Sequence, residues 1–327
     1  MSASTGGQDP RPGRFRAALE SGAFTVTAEI GPPRGADAGA VTRKVAALRD
    51  WVSAVNITDN QGASVRLASW AGSLAALAAG VEPVMQVTCR DRNRIALQSD
   101  LLGASALGIP NILIMTGDHP RFGDHSGATP VFDLDSIQLL RAARAMRDEG
   151  KLLSGRELKP PPHWFLGSVE NPSGPPGSAA PPAGPLAARL AEKVAAGAQF
   201  VQTQYVFDPA AFAPWLAQVR DLGLDERCHI LAGVGPISSL RALSHLEQGV
   251  PGVRVPEGLA RRLRGVPAGR VADEGMAACA ETIRELRQMP GVAGVHVMAV
   301  GNEHRVPAIL EQAGLVPLTA GRPGHAD

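Results

Sequence analysis

The sequence predicts one α/β domain built as a closed (β/α)8 barrel, and three observations carry that prediction. Eight short apolar runs rich in strand-forming residues recur along the chain. Most are about 30 residues apart, the length of one strand plus one helix. No GxGxxG turn follows the first run, which argues against the doubly wound open sheet, the other fold with this rhythm.

The runs, in order, are Phe24–Ile30, Val52–Thr58, Pro83–Thr88, Asn111–Thr116, Trp164–Val169, Phe200–Gln204, His229–Val234 and Val295–Val300. They are apolar on both faces, as parallel strands covered by helices must be. Helical patterns lie between them at Ala63–Ala79, Arg92–Leu107, Asp135–Asp148, Leu186–Ala196 and Asp273–Gln288, with a further helical insertion at Val255–Arg270. The Pro/Gly/Ala run Asn171–Pro185 reads as a mobile loop over the barrel mouth. Residues 1–14 are polar and rich in Gly and Pro, and are expected to form a disordered tail. Residues 15–318 are then the barrel domain and 319–327 a second tail.

Composition narrows the function. The 327 residues carry a formal net charge of +1, which gives no electrostatic case for nucleic acid or a membrane surface. No apolar run reaches the roughly 18 residues a membrane span needs. The start lacks the apolar core of a signal peptide. Three scattered cysteines, Cys89, Cys228 and Cys279, form no disulfide or metal pattern and suit a reducing cytoplasm. Aromatic residues make up only 4%, with one tyrosine, Tyr205.

In such a barrel the active site lies at the C-terminal strand ends. There stand Glu29; Asn56, Thr58, Asp59 and Asn60; Gln86, Thr88, Cys89 and Arg90; Thr116, Gly117, Asp118 and His119; Glu170 and Asn171; Thr203, Gln204 and Tyr205; Gly235; and Gly301, Asn302, Glu303 and His304. The ring mixes amides, hydroxyls and isolated acids. It contains no HxH, HExxH or GxSxG, so neither a metal hydrolase nor a serine hydrolase is expected. Such a ring suits recognition of a polar heterocycle.

Seven segments in order resemble the methylenetetrahydrofolate reductase family: AEIGPPRG (28–35), NITDNQGA (56–63), QVTCRDRNR (86–94), MTGDHP (115–120), QTQYVFD (202–208), AGVGPI (232–237) and VRVPEGL (253–259). The resemblance runs from about Phe24 to Leu315, most closely to the branch that includes enzymes of acetyl-CoA-pathway organisms. It implies a barrel-only form without the eukaryotic regulatory domain. It also implies a flavin, FAD with FMN as the alternative, that passes hydride to the methylene carbon of methylenetetrahydrofolate. NADH or NADPH would reduce the flavin, and a cytoplasmic homo-oligomer is expected. Rival readings are a reductase for another methylene-pterin carrier, a flavin-carrying or pterin-binding subunit, and a flavin barrel of the proline dehydrogenase type.

Residue by residue, Glu29 matches the family's general acid and Asp118 the acid beside flavin and pterin. Gln204 matches the amide that binds substrate, Thr58 a threonine near the flavin, and Lys193 a lysine that meets cofactor phosphate, with Arg189 one turn earlier on the same helix face. Asn60, Gln86, Thr88, Gly117, His119 and Glu170 complete the expected cofactor contacts. The alternative for Lys193 and Arg189 is a solvated helix face, and for Asp118 a cap on the next turn. Arg90, Arg92 and Arg94 form a basic cluster that could hold phosphate. Six positions, in four places, depart from the family. Gln86 replaces a histidine and Asp59-Asn60-Gln61 a Tyr-Gly-Ala turn, while Leu186 replaces a cofactor-binding aspartate. Leu246 stands where a stacking aromatic serves substrate and nicotinamide. The last departure, and the branch's habit of working with partner subunits, raise the expectation that NADH is a poor direct donor and that a partner protein delivers electrons.

Overall fold

The computed structural model describes residues 13–174, 183–250 and 252–318. Eight parallel strands close into a barrel in chain order, β1 through β8 and back to β1. They are β1 (Thr25–Ile30), β2 (Ala54–Ile57), β3 (Pro83–Thr88), β4 (Asn111–Met115), β5 (Phe165–Glu170), β6 (Phe200–Tyr205), β7 (His229–Val234) and β8 (Val292–Val297). The helices are α1 (Arg14–Glu20), α2 (Ala38–Ala46), α3 (Ser69–Ala78), α4 (Arg94–Ala106), α5 (Ser136–Asp148), α6 (Ala183–Ala196), α7 (Pro209–Asp221), α8 (Leu240–Gly249), α9 (Glu257–Arg264), α10 (Val271–Arg287) and α11 (Val306–Gln312). This is the TIM-barrel arrangement that the strand–helix rhythm predicts.

Local chemistry sets the helix starts. Asn93 caps α4 by accepting from the Ile95 and Ala96 N–H groups, and Asp135 with Gln138 makes a reciprocal capping box on α5. Asp208 caps α7 ahead of Pro209, and Ser239 caps α8. The α3 helix starts at Ser69, six residues later than its apolar pattern suggests. Asn60, Gly62 and Ala63 sit at φ +48, +61 and +53°, and this left-handed stretch forms a turn at the mouth instead of helix.

The N-terminal tail expected over residues 1–14 lies almost wholly outside the described residues. Its last residue, Arg14, opens α1, whose Phe15 and Leu19 plug the N-terminal end of the barrel. The Phe15 ring meets Phe165 and Phe200 edge-on at 5.8 and 5.1 Å, and those two rings stack at 5.0 Å inside the barrel. Gly167 makes room for them, since a Cβ there would lie 2.2 Å from the Phe200 ring. Burying Phe15 contributes about 1.5–3 kcal/mol. The mobile loop expected at Asn171–Pro185 lies largely outside the described residues.

Strand β8 is also shifted. It pairs with β1 from Gly294 and with β7 from Val292, so it begins three residues before the expected Val295 and ends at Val297. Apart from His296 the run VHVMAV is apolar, and it marks neither end. Gly294 fixes the register, because its missing side chain admits the Thr25 carbonyl, which would lie 1.9 Å from a Cβ. Among the described residues, no helix is long and apolar enough to cross a membrane.

Candidate functional site

A polar cavity of about 450 Å³ opens at the C-terminal ends of the strands. That volume lies within the range of small-molecule sites. It brings together Glu29, Thr58, Asn60, Gln86, Thr88, Gly117, Asp118, Glu170, Arg189, Lys193 and Gln204, eleven residues expected from the sequence. Two are not brought there. His119 instead caps the turn at Pro120–Phe122, its Nδ1 accepting from the Arg121 N–H at 3.1 Å. Leu246, on the β7-to-α9 side, packs against the satellite cluster of Ile237, Leu243, Ala260, Leu263 and Val271. The structure thus places Leu246 on this flanking cluster and not among the residues that line the cavity.

The floor is a hydrogen-bonded relay around Glu29. Gln86 Nε2 donates to Glu29 Oε2 at 3.3 Å, and His296 Nε2 lies 3.6 Å from the same oxygen. Thr27 Oγ1 lies 2.9 Å from His296 Nδ1 and accepts from Gln202 Nε2 at 3.1 Å. Gln202 and Asn56 exchange amide hydrogen bonds of 2.6 and 3.1 Å. With Gln202 donating to it, the Thr27 hydroxyl is free to donate to Nδ1. That places the ring proton on Nε2, the atom facing Glu29. Beside the relay, burial and then the Glu29 charge push the Tyr205 phenol up, so it stays a donor to the Met298 carbonyl at 3.0 Å.

A second network shapes the side formed by β2, β3 and β4. The Asp59 carboxylate is buried, accepts from the Thr88 N–H and hydroxyl at 2.8 and 3.0 Å, and pairs with Arg92. Arg92 also holds Asp100 at 2.9 Å. Arg90, likewise buried, pairs with Asp91 and reaches the Asn60 and Asp118 carbonyls at 3.3 and 3.4 Å. Arg94 pairs with Asp133. The expected phosphate-holding trio is therefore spent on neighbouring carboxylates. Gly117, at φ +87°, lets the β4 loop pass close to Thr88, where a Cβ would lie 2.9 Å from the Thr88 Cβ. The Asp118 carboxylate is exposed at the rim.

The third wall is ionic. Lys193 is buried and donates to Glu170 Oε2 at 2.8 Å and to the Val169 carbonyl at 2.5 Å. Burial, opposed by Glu170, lowers its pKa. The solvated-face alternative fails for Lys193, because α6 turns it inward over the end of β5. Arg189, one turn earlier, is exposed at the rim. Leu186, where the family has an acid, is buried in the core.

Sequence reasoning missed His296 and Met298, which both line the cavity. The end of β8, expected three residues too late, hid them. A lone histidine inside a continuous apolar strand was the available signal. It could not find the Asp59–Arg92 pair, whose members are 33 residues apart and meet only in the folded barrel.

Amides, hydroxyls and a tight glycine turn over one polar cavity fit a flat, hydrogen-bonding heterocycle. The apolar Leu113, Met115, Val169 and Met298 offer a surface for a ring face, and Arg189 offers a charge for an anionic arm. By this test the residues fit a flavin ring and its phosphate. Fold and site thus define a (β/α)8 barrel with an acid relay under a heterocycle-sized mouth. The chain belongs to the methylenetetrahydrofolate reductase family, whose model matches residues 14–314. It is 25% identical over 249 residues to a probable methylenetetrahydrofolate reductase (NADPH) of Caenorhabditis elegans, covering 74% of this chain and 34% of that protein. It is 26% identical over 273 residues to methylenetetrahydrofolate reductase 2 of Saccharomyces cerevisiae, covering 80% and 42%. The chain thus spans well under half the length of these relatives. A Clostridium thermocellum protein described as binding two copies of 5-methyl-5,6,7,8-tetrahydrofolic acid shares the fold, with a TM-score of 0.65 and 11% identity over 91% of this chain and 97% of that one.

Proposed function

We propose that this protein reduces 5,10-methylenetetrahydrofolate to 5-methyltetrahydrofolate, with Glu29 as the general acid. One observation carries the reading: in a chain of this family, Glu29 stands at the cavity floor with Gln86 and His296 directed at one of its oxygens. The substrate's imidazolidine ring must open to an iminium ion before it can accept hydride, and Glu29 donates the proton that opens it. His296 Nε2–H and the Gln86 amide then steady the carboxylate that remains, and Thr27 and Gln202 hold the imidazole in that tautomer. Gln204 offers donor and acceptor to the pterin edge. The Asp118 carboxylate at the rim favours the cationic iminium.

A bound reduced flavin, FAD or FMN, supplies the hydride. Thr58, Gln86 and the backbone at Gly117 would hold its ring and Arg189 its phosphate, while Lys193 steadies Glu170 beneath. The purified protein should be yellow or take up added FAD or FMN with a shift in the visible spectrum. A colourless protein that binds neither would overturn the flavin assignment. Anaerobic mixing of the flavin-loaded protein with NADH or NADPH identifies the electron donor. Reduction at about 10 per second or faster, a common turnover rate, shows direct supply. Failure with both points to a partner protein. No Phe, Tyr or Trp side chain lines the cavity among the described residues, so nicotinamide would rest mainly on Met and aliphatic surface.

A further inference from the structure

Glu29 and His296 face each other across the seam where the barrel closes, between β1 and β8. The paired rungs of that seam run Thr25–Gly294, Val26–Val295, Thr27–His296 and Ala28–Val297, and stop there. Beyond the last rung the two strands turn to opposite neighbours. Glu29 pairs with Asn56 of β2 and Ile30 accepts from the Thr58 N–H, while the Met298 N–H donates to Val234 of β7. The acid and the histidine therefore stand where the sheet begins to part.

A half-buried ion pair bridges the seam above that rung. Lys44, on α2, donates from Nζ to the Gly31 carbonyl at 3.0 Å, two residues after Glu29. The same Nζ pairs with Glu303 Oε1 at 2.8 Å, on the loop that follows β8. The Glu303 side chain is 6% exposed and that of Lys44 32%. A carboxylate so buried is costly to keep and contributes little net stability, so its use is better sought in the geometry it fixes. Gly31 also leaves no room for a side chain, since a Cβ there would lie 2.9 Å from Gln61 Oε1, the oxygen that accepts the Thr58 hydroxyl.

We propose that Lys44 and Glu303 are positioning residues that clamp the β1 and β8 loops together and so set the spacing between Glu29 and His296. This rests on the reading of Glu29 as proton donor. Neither residue lines the cavity, so each acts through Gly31 and the strand ends. The test compares full-length wild type, Lys44→Met, Lys44→Arg and Glu29→Gln, all flavin-loaded, in the methylenetetrahydrofolate reduction assay across pH. Thermal melts and the His296 ring proton resonance by NMR are recorded alongside. Lys44 is partly exposed, so methionine keeps its stem packing and the fold.

The expected result for Lys44→Met is a kcat about 10- to 100-fold lower, as for a misplaced reacting group, with KM within about twofold. The alkaline limb of the pH profile and the His296 resonance should both move, and Lys44→Arg should recover most of kcat. Wild-type kcat, or a lower kcat with an unmoved pH limb and His296 resonance, overturns the clamp. The two readings fail separately. A fully active Glu29→Gln removes the acid itself, whereas a slow Glu29→Gln beside an unaffected Lys44→Met removes only the positioning role.

Discussion

Replacing Lys193 with methionine isolates the ionic wall of the cavity. The Lys193 and Glu170 side chains are 4% and 2% exposed, so neither charge is shared with water. Methionine fills nearly the same volume but removes the ammonium. Glu170 keeps the Asn171 N–H at 3.0 Å as a partner for its Oε1, and its Oε2 is stranded. Breaking a buried pair on one side costs about 3–5 kcal/mol. At about 2 °C per kcal/mol for a chain of this size, the Tm falls by about 6–10 °C. The double variant Glu170→Gln/Lys193→Met has no stranded charge and should recover at least about 2 kcal/mol of that loss, a coupling typical of groups in contact. The assay is denaturant unfolding of the four proteins, wild type, both single variants and the double, followed by circular dichroism. A single-variant loss below about 1 kcal/mol, or losses that simply add, would refute the view that these two charges exist for each other.

Two further outcomes follow from the relay and the plug. Glu29→Gln should leave reduction of bound flavin by its donor intact and slow methylenetetrahydrofolate reduction by about 100-fold or more; equal losses in the two half-reactions, measured by stopped flow, would make Glu29 structural. At the other end of the barrel, burial pushes the Glu82 carboxyl up despite its bonds from Asn111 and the Phe15 N–H. A carboxyl raised in the fold contributes its stability in full below its unfolded pKa and loses it as pH rises through the folded one. Glu82→Gln, which keeps an acceptor and cannot ionise, should therefore match wild type near pH 4 and melt increasingly above it toward pH 8; a gap independent of pH would sink that account.

The barrel was legible because its signal is repeated. Eight apolar runs at one strand–helix spacing specify parallel strands, and seven of the eight were located to within two residues at each end. The β8 run shows the limit, since an apolar stretch on both faces has no alternation to mark where pairing begins. Glu29, Gln86, Asp118, Glu170 and Gln204 were legible because the C-terminal strand ends of a barrel surround its mouth and the family segments singled these residues out among them.

The sequence by itself determined the fold class, the ring of strand-end residues and, through seven ordered segments, the family. Only the tertiary structure decided which charges are free. It spent Arg90, Arg92 and Arg94 on Asp91, Asp59 and Asp133, turned Lys193 inward onto Glu170, sent Leu246 to the flank, and set His296 against Glu29. The physical reason is the same in each case. Strand pattern and helix period fix which way a side chain points from its own element. A salt bridge or a relay depends on the register between elements far apart in the chain, and that register is set by packing at places such as Gly294 against Thr25.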